Sequence, residues 1–297
     1  MGLKQNASMI MKSPRVRLLL GSILVSFSAV FAKLASVPPT VSAFYRLAIG
    51  GVVLAVLVAI KRWPLTCRRP TRWKMIAAAA ALFALDLGFW HQSIVYIGPG
   101  LSTLIASLQV FFMAGAGLLL FGQKLEKRQV IAIPMAIAGL TLVAGVGWSE
   151  QTAEYQSGIV LGLLTALTYA AYLLSLRQTQ AGGDGRLPVA ELAAISLGSA
   201  LLLGVASLIR GDSFAIPAAS DLCWLVLYGI VSHVGGWLLI ASSLPRLSTA
   251  VAGLTLTLQP LLTMVWDILF FGRGLTLVEA AGSIVTLAAI YLGSRRG

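Results

Sequence analysis

Charge is scarce in this chain, and acid is scarcer than base. Of 297 residues only 11% are Asp, Glu, Lys or Arg, with ten acidic side chains against 22 basic ones. Soluble domains carry about 25% charged residues. A chain 58% hydrophobic, with a mean hydropathy of +0.89, has too little polar surface to face water, and a soluble fold is excluded. Two cysteines, Cys67 and Cys223, are too few for a disulfide framework. The topology argued below puts them on opposite membrane faces, so no bridge is expected. Two histidines, His91 and His233, offer little to a metal, and neither metal nor cofactor is expected. The chain holds no His-Glu-x-x-His, no Gly-x-Ser-x-Gly and no Walker-type phosphate loop. Their absence argues against a zinc hydrolase, a serine esterase and direct use of ATP, and leaves a membrane-embedded enzyme as a remote alternative.

What the chain has instead is long apolar runs. Ten stretches approach the roughly 20 residues that a helix needs to cross a bilayer. They are 17–35, 40–60, 75–97, 101–121, 129–147, 157–176, 189–209, 222–243, 247–271 and 276–293. The expected fold is an all-α integral membrane protein of ten transmembrane helices, with connections too short to hold a soluble domain. The first run lacks a cleavage-site pattern and reads as a retained helix.

The bases are unevenly placed. Eighteen of the 22 Lys and Arg fall in one set of loops and tails, three (Lys33, Arg210, Arg273) in the other, and Arg46 within a helix. The side rich in bases is the cytoplasmic one, so both termini are expected in the cytoplasm of a multi-pass inner-membrane protein. The excess positive charge is thereby a topology signal, and nucleic acid is not an expected partner.

Segment 98–108, GPGLSTLIASL, matches segment 244–254, LPRLSTAVAGL, at six of eleven positions. Further on, Leu108-Gln109 corresponds to Leu258-Gln259, Phe121-Gly122 to Phe271-Gly272, and Leu125 to Leu275. Residues 17–147 and 157–293 therefore read as two five-helix repeats joined by an external linker, 148–156, with tails at 1–16 and 294–297. Five is odd, so the second repeat must enter the membrane upside down. Inverted repeats build alternating-access carriers that hold substrate near the midplane. Either a monomer or a homodimer fits this pattern.

At the level of motifs the chain resembles the drug/metabolite transporter superfamily, in particular its ten-helix EamA-type members. The likeness rests on FYRLAIGG (44–51), on LSTLIASLQVFFMAGAGLLLFGQKLEKRQVIAIPMAIAGL (101–140), and on LSTAVAGLTLTLQPLLTMVWDILFFGRGLTLVEAAGSIV (247–285). Two departures stand out. Gln123 and Arg273 follow Gly122 and Gly272 where the family often has Glu, and Val110 stands where a second proline would match Pro260. The resemblance implies a central cavity lined by helices 1–4 and 6–9. It also implies secondary transport of a small polar or amphipathic metabolite such as an amino acid, usually outward. Facilitated uptake of a metabolite or vitamin is the alternative.

Polar groups deep in a bilayer seldom face lipid. Asp86 lies about eleven residues from either end of the third run, with Trp90 and Ser93 on its helical face. His91 is rotated about 140° from that face. Asp86, His91 and His233 are candidates to carry a coupling proton. Arg46 and Asp267 are expected as a structural or gating ion pair, with direct contact between Arg46 and an anionic group of the substrate as the alternative. Gln109 and Gln259, equivalent in the repeat, could offer amides to a substrate. Tyr169, Tyr172 and Trp237 are central aromatics suited to a cavity wall. Pro260, Gly235 and Gly236 are expected hinges, because proline removes a helix hydrogen bond and glycines allow close helix approach.

Overall fold

The computed structural model describes residues 13–63, 70–122, 126–145, 148–180, 189–243, 255–256 and 258–294. Every regular element among them is helical. The first half contains α1 (Pro14–Ser26), α2 (Ser28–Leu34), α3 (Pro39–Lys61), α4 (Pro70–Ala106), α5 (Gln109–Phe121) and α6 (Lys127–Leu140). After it come α7 (Ala153–Gln180), α8 (Val189–Arg210) and α9 (Ala219–Leu227). A π-helical segment (Tyr228–Gly236) leads into α10 (Trp237–Ser243), and α11 (Leu258–Phe271) and α12 (Leu277–Ser294) complete the chain. Among the described residues six helices are long and apolar enough to cross a bilayer, and two shorter apolar ones, Leu258–Phe271 and Leu277–Gly293, accompany them. This is a multi-pass membrane protein. Its outward faces carry side chains such as Leu119, Ile209 and Leu277, exposed by 81%, 82% and 90%, an apolar surface unfavourable in water and compatible with lipid tails.

Local chemistry sets the helix ends. α3 opens on Pro39, whose missing N–H costs nothing at a first helical position. α6 opens with the Glu126 N–H donating to Gln129 Oε1 at 3.0 Å, half of a capping box. Gly122 and Gly272 close α5 and α11 with the same left-handed backbone, φ 62° at both. Side chains resist that conformation and glycine does not. The two positions that correspond in the sequence repeat thus end their helices in one way.

Several expected spans are interrupted. Run 75–97 and part of run 101–121 lie within α4, but its backbone is non-helical at Gly98 (φ 80°, ψ 164°), followed by Pro99. Ser102 Oγ lies 3.4 Å from Trp90 O, twelve residues earlier. A straight helix would separate them by about 18 Å, so the chain folds back here. A second break precedes Gln109, where Ser107 Oγ donates to Thr103 O at 2.8 Å and competes with the helix ladder. Run 17–35 divides at Phe27. Run 222–243 passes through the wide turns of the π segment, which contains both expected hinges, Gly235 and Gly236. Run 129–147 widens into a π turn over Thr141–Gly145.

The second Leu-Ser-Thr stretch (244–254) lies outside the described residues. So do Cys67, Gln123, and nine of the eighteen bases of the expected cytoplasmic loops and tails. Cys223 is free and exposed.

Among the described residues, the two larger of four buried apolar clusters form most of the interior. One surrounds Leu104, Ile105, Ala136 and Ile290. The other surrounds Phe83, Trp90, Tyr172 and Tyr228, drawn from α4, α7 and the π segment. The candidate polar groups gather at the second.

Candidate functional site at the centre of the bundle

Asp86 on α4 is 4% exposed, and no described residue makes a hydrogen bond or ion pair to its carboxylate. Arg46 on α3, also 4% exposed, lies within electrostatic reach of it, as do Tyr169, Tyr172 and Tyr228. The carboxyl and the guanidinium are buried in one cluster without touching. Stripping an ion of water is costly unless a partner replaces the water, and neither group is that partner for the other.

Arg46 has other company. Its Nη1 donates to Tyr228 Oη at 3.0 Å, and the guanidinium carbon sits 4.8 Å from the Tyr228 ring centroid and 5.9 Å from that of Trp90. These distances are within cation–π range. Arg46 Nε is buried with no hydrogen-bond partner among the described residues. Tyr228 Oη lies 3.1 Å from His91 Nε2, and His91 Nδ1 lies 2.8 Å from Leu87 O. The rotation that sets His91 off the Asp86 face therefore turns it toward the π segment, within the same cluster.

Aromatic rings continue the wall. Phe83 stacks on Tyr172 at 4.4 Å, Tyr172 on Tyr169 at 5.9 Å, and Tyr169 meets Trp237 edge-on at 6.4 Å. Tyr172 Oη and Trp237 Nε1 are buried without hydrogen-bond partners among the described residues. His233 is fully buried. Its Nε2 lies 2.9 Å from Ser196 Oγ, and its Nδ1 has no hydrogen-bond partner among the described residues. The bare face of Gly50 makes room for this ring, since a Cβ there would collide with it.

Other expected residues lie apart from this cluster. Ser93 is buried and donates to Gly158 O at 2.8 Å, so its hydroxyl is committed to α7. Gln109 and Gln259 are half-buried, and their side chains make no hydrogen bond to a described residue. Pro260 is buried in the first turn of α11, where the Gln259 carbonyl accepts from Thr263 Oγ1 at 2.9 Å.

The anticipated Arg46–Asp267 pair does not form. Asp267, 1% exposed, lies 3.5 Å from Arg273 Nη1 and 3.7 Å from Lys33 Nζ. It also accepts from Gly100 N at 2.9 Å. Counting residues from helix ends gave both charges a similar depth but no azimuth. Arg46 turns to the central aromatics, whereas Asp267 faces the folded-back turn of α4. Arg273, one of the departures from the family pattern, thus has a partner in Asp267.

Sequence reading missed Tyr228, Phe83 and Ser196. Nothing in periodicity singles out one aromatic or hydroxyl among many. The sequence offered one signal for Tyr228, a polar-tipped aromatic deep in an apolar run.

The model of the EamA-like transporter family matches the chain twice, at residues 16–145 and 156–295. An inner-membrane transporter of Escherichia coli, "Uncharacterized inner membrane transporter YhbE", is 26% identical over 266 residues, covering 86% of this chain and 82% of that protein. "Uncharacterized transporter YvbV" of Bacillus subtilis is 25% identical over 262 residues, covering 88% and 84%. A protein of Salmonella typhimurium called "Probable amino-acid metabolite efflux pump" is 27% identical over 202 residues, covering 65% and 66%. One solved crystal structure shares the fold, with a TM-score of 0.68 at 17% identity, covering 94% of this chain and 96% of that one. The chain belongs to the EamA-like transporter family of the drug/metabolite transporter superfamily.

Proposed function

We propose that this transporter moves a small zwitterion, an amino acid or related metabolite, outward across the inner membrane by alternating access. Its two five-helix halves, inverted relative to each other and with both termini cytoplasmic, would expose the central cluster to each side in turn. One observation supports the substrate class above all. Arg46 and Asp86 are buried together yet apart, and the carboxylate has no hydrogen bond from a described residue. A carboxylate and an ammonium on one small molecule would satisfy both groups, and the aromatic wall would receive its apolar part. The Salmonella relative's name gives the same class. Asp86 and His233, one in each half, are the groups we propose for a coupling proton.

The test is flux from proteoliposomes loaded with the twenty amino acids and their decarboxylated amines, with and without an imposed proton gradient. The expected result is gradient-dependent movement of particular amino acids in preference to the matching amines. Equal movement of the amines would remove the role given to Arg46. Flux indifferent to the gradient would remove proton coupling and favour a facilitative carrier.

A further inference from the structure

We propose that Tyr228 and His91 are positioning residues, which together hold the Arg46 guanidinium so that its Nε–Nη2 edge receives the anionic group of the substrate. The proposal rests on the reading of Arg46 given above and assigns His91, a sequence candidate for proton coupling, a different task.

The hydrogens along the chain of contacts can be placed from acceptor chemistry. A backbone carbonyl only accepts, so at 2.8 Å from Leu87 O the His91 Nδ1 must carry a proton and donate it. Arg46 Nη1 only donates, so at 3.0 Å Tyr228 Oη accepts. The phenol proton is left to point at His91 Nε2, 3.1 Å away, which accepts through its lone pair. A proton on Nε2 instead would set an imidazolium beside the buried guanidinium, two like charges in a poorly screened place. Every donor from Arg46 to the Leu87 carbonyl is then matched to one acceptor, in a single direction.

This arrangement fixes which part of Arg46 is available. A guanidinium presents paired N–H groups along two edges that match a carboxylate. With Nη1 engaged by Tyr228, the Nε–Nη2 edge remains, and Nε is buried without a hydrogen-bond partner among the described residues. The Tyr228 ring, 4.8 Å from the guanidinium carbon, holds the planar group from its face. Tyr228 is also the first residue of the π segment, a local irregularity of the kind that recurs where a helix aims a side chain at a site.

Because the chain has only two histidines, selective 15N-histidine labelling gives a two-imidazole spectrum. In the full-length protein the expected His91 is the Nδ1–H tautomer with an accepting Nε2, and Tyr228→Phe shifts its Nε2 resonance while His233 keeps its own. An Nε2–H tautomer, a charged ring, or a His91 spectrum untouched by Tyr228→Phe would overturn the proposal. In proteoliposomes, Tyr228→Phe and His91→Gln should each raise KM about tenfold for whichever pool amino acids the wild type carries. The expected kcat stays within about twofold, and the double variant is no worse than the costlier single one. An unchanged KM in Tyr228→Phe would also overturn it. If the wild type moves none of the pool, the substrate class falls, while the imidazole spectrum still judges the positioning chain.

Discussion

Gly100 donates its backbone N–H to Asp267 Oδ2 at 2.9 Å, tying the folded-back turn of α4 to the last turns of α11. Around the same carboxylate come Lys33 from α2 and Arg273 from beyond α11. Arg273 Nη1 also donates to Ile97 O at 2.9 Å, and its Nη2 lies 3.6 Å from Glu279 on α12. One buried acid thus joins segments of both family-matched units.

Asp267→Ala should therefore be costly. It leaves a buried amide and two cations without their common partner, a loss of about 2–4 kcal/mol. Lys33→Ala removes one partly exposed contact and should cost less than about 1 kcal/mol. Reversible unfolding in mixed micelles checks the order, and equal costs would show that the carboxylate is not the centre of the knot.

For Asp86 the expected signature is opposite in function and stability. Asp86→Asn removes a buried charge that no described residue bonds, so the protein should unfold no more easily than the wild type, or less easily. Flux should fall by about a hundredfold or more, because the proposed cation partner is gone. A variant that transports normally would end the role given to Asp86.

Ser93 should behave as a brace. Losing its hydrogen bond to Gly158 O in Ser93→Ala leaves a buried carbonyl short of a donor, at about 1 kcal/mol of stability. Substrate KM should stay at the wild-type value. A raised KM with unchanged unfolding would return Ser93 to the substrate path.

Two glycines separate packing from propensity. Gly50→Ala drives a methyl into the His233 ring and should destabilise by about 1–3 kcal/mol. Gly115 lies within α5 with open space around its missing side chain. Gly115→Ala should be neutral or stabilising by up to about 1 kcal/mol. Thermal unfolding of the two variants should move in different directions or, at the least, by clearly different amounts.

The inverted arrangement has its own check. Single cysteines placed at 98–100 and at 244–246 should react with a membrane-impermeant maleimide from opposite compartments. Labelling of both from one side would remove the inversion and the alternating-access mechanism with it.

Composition and run length were enough to establish a multi-pass helical membrane protein, because a bilayer admits few spanning forms and demands about 20 apolar residues for each crossing. Local residue chemistry made the turn at Gly98-Pro99 legible, and the paired glycines that end α5 and α11. The depth of Asp86 could likewise be counted along its helix. What could not be counted was direction around the bundle. Which neighbour Arg46, His91 or Asp267 meets depends on helix rotation, on the breaks at Phe27 and Ser107, and on the wide turns from Tyr228 to Gly236. Each of these turns the residues that follow it about the helix axis while leaving hydropathy unchanged. Tertiary packing alone decided that Arg46 joins Tyr228 and that Asp267 joins Gly100, since side-chain contact between helices is a matter of facing surfaces and sequence spacing records only position along each one.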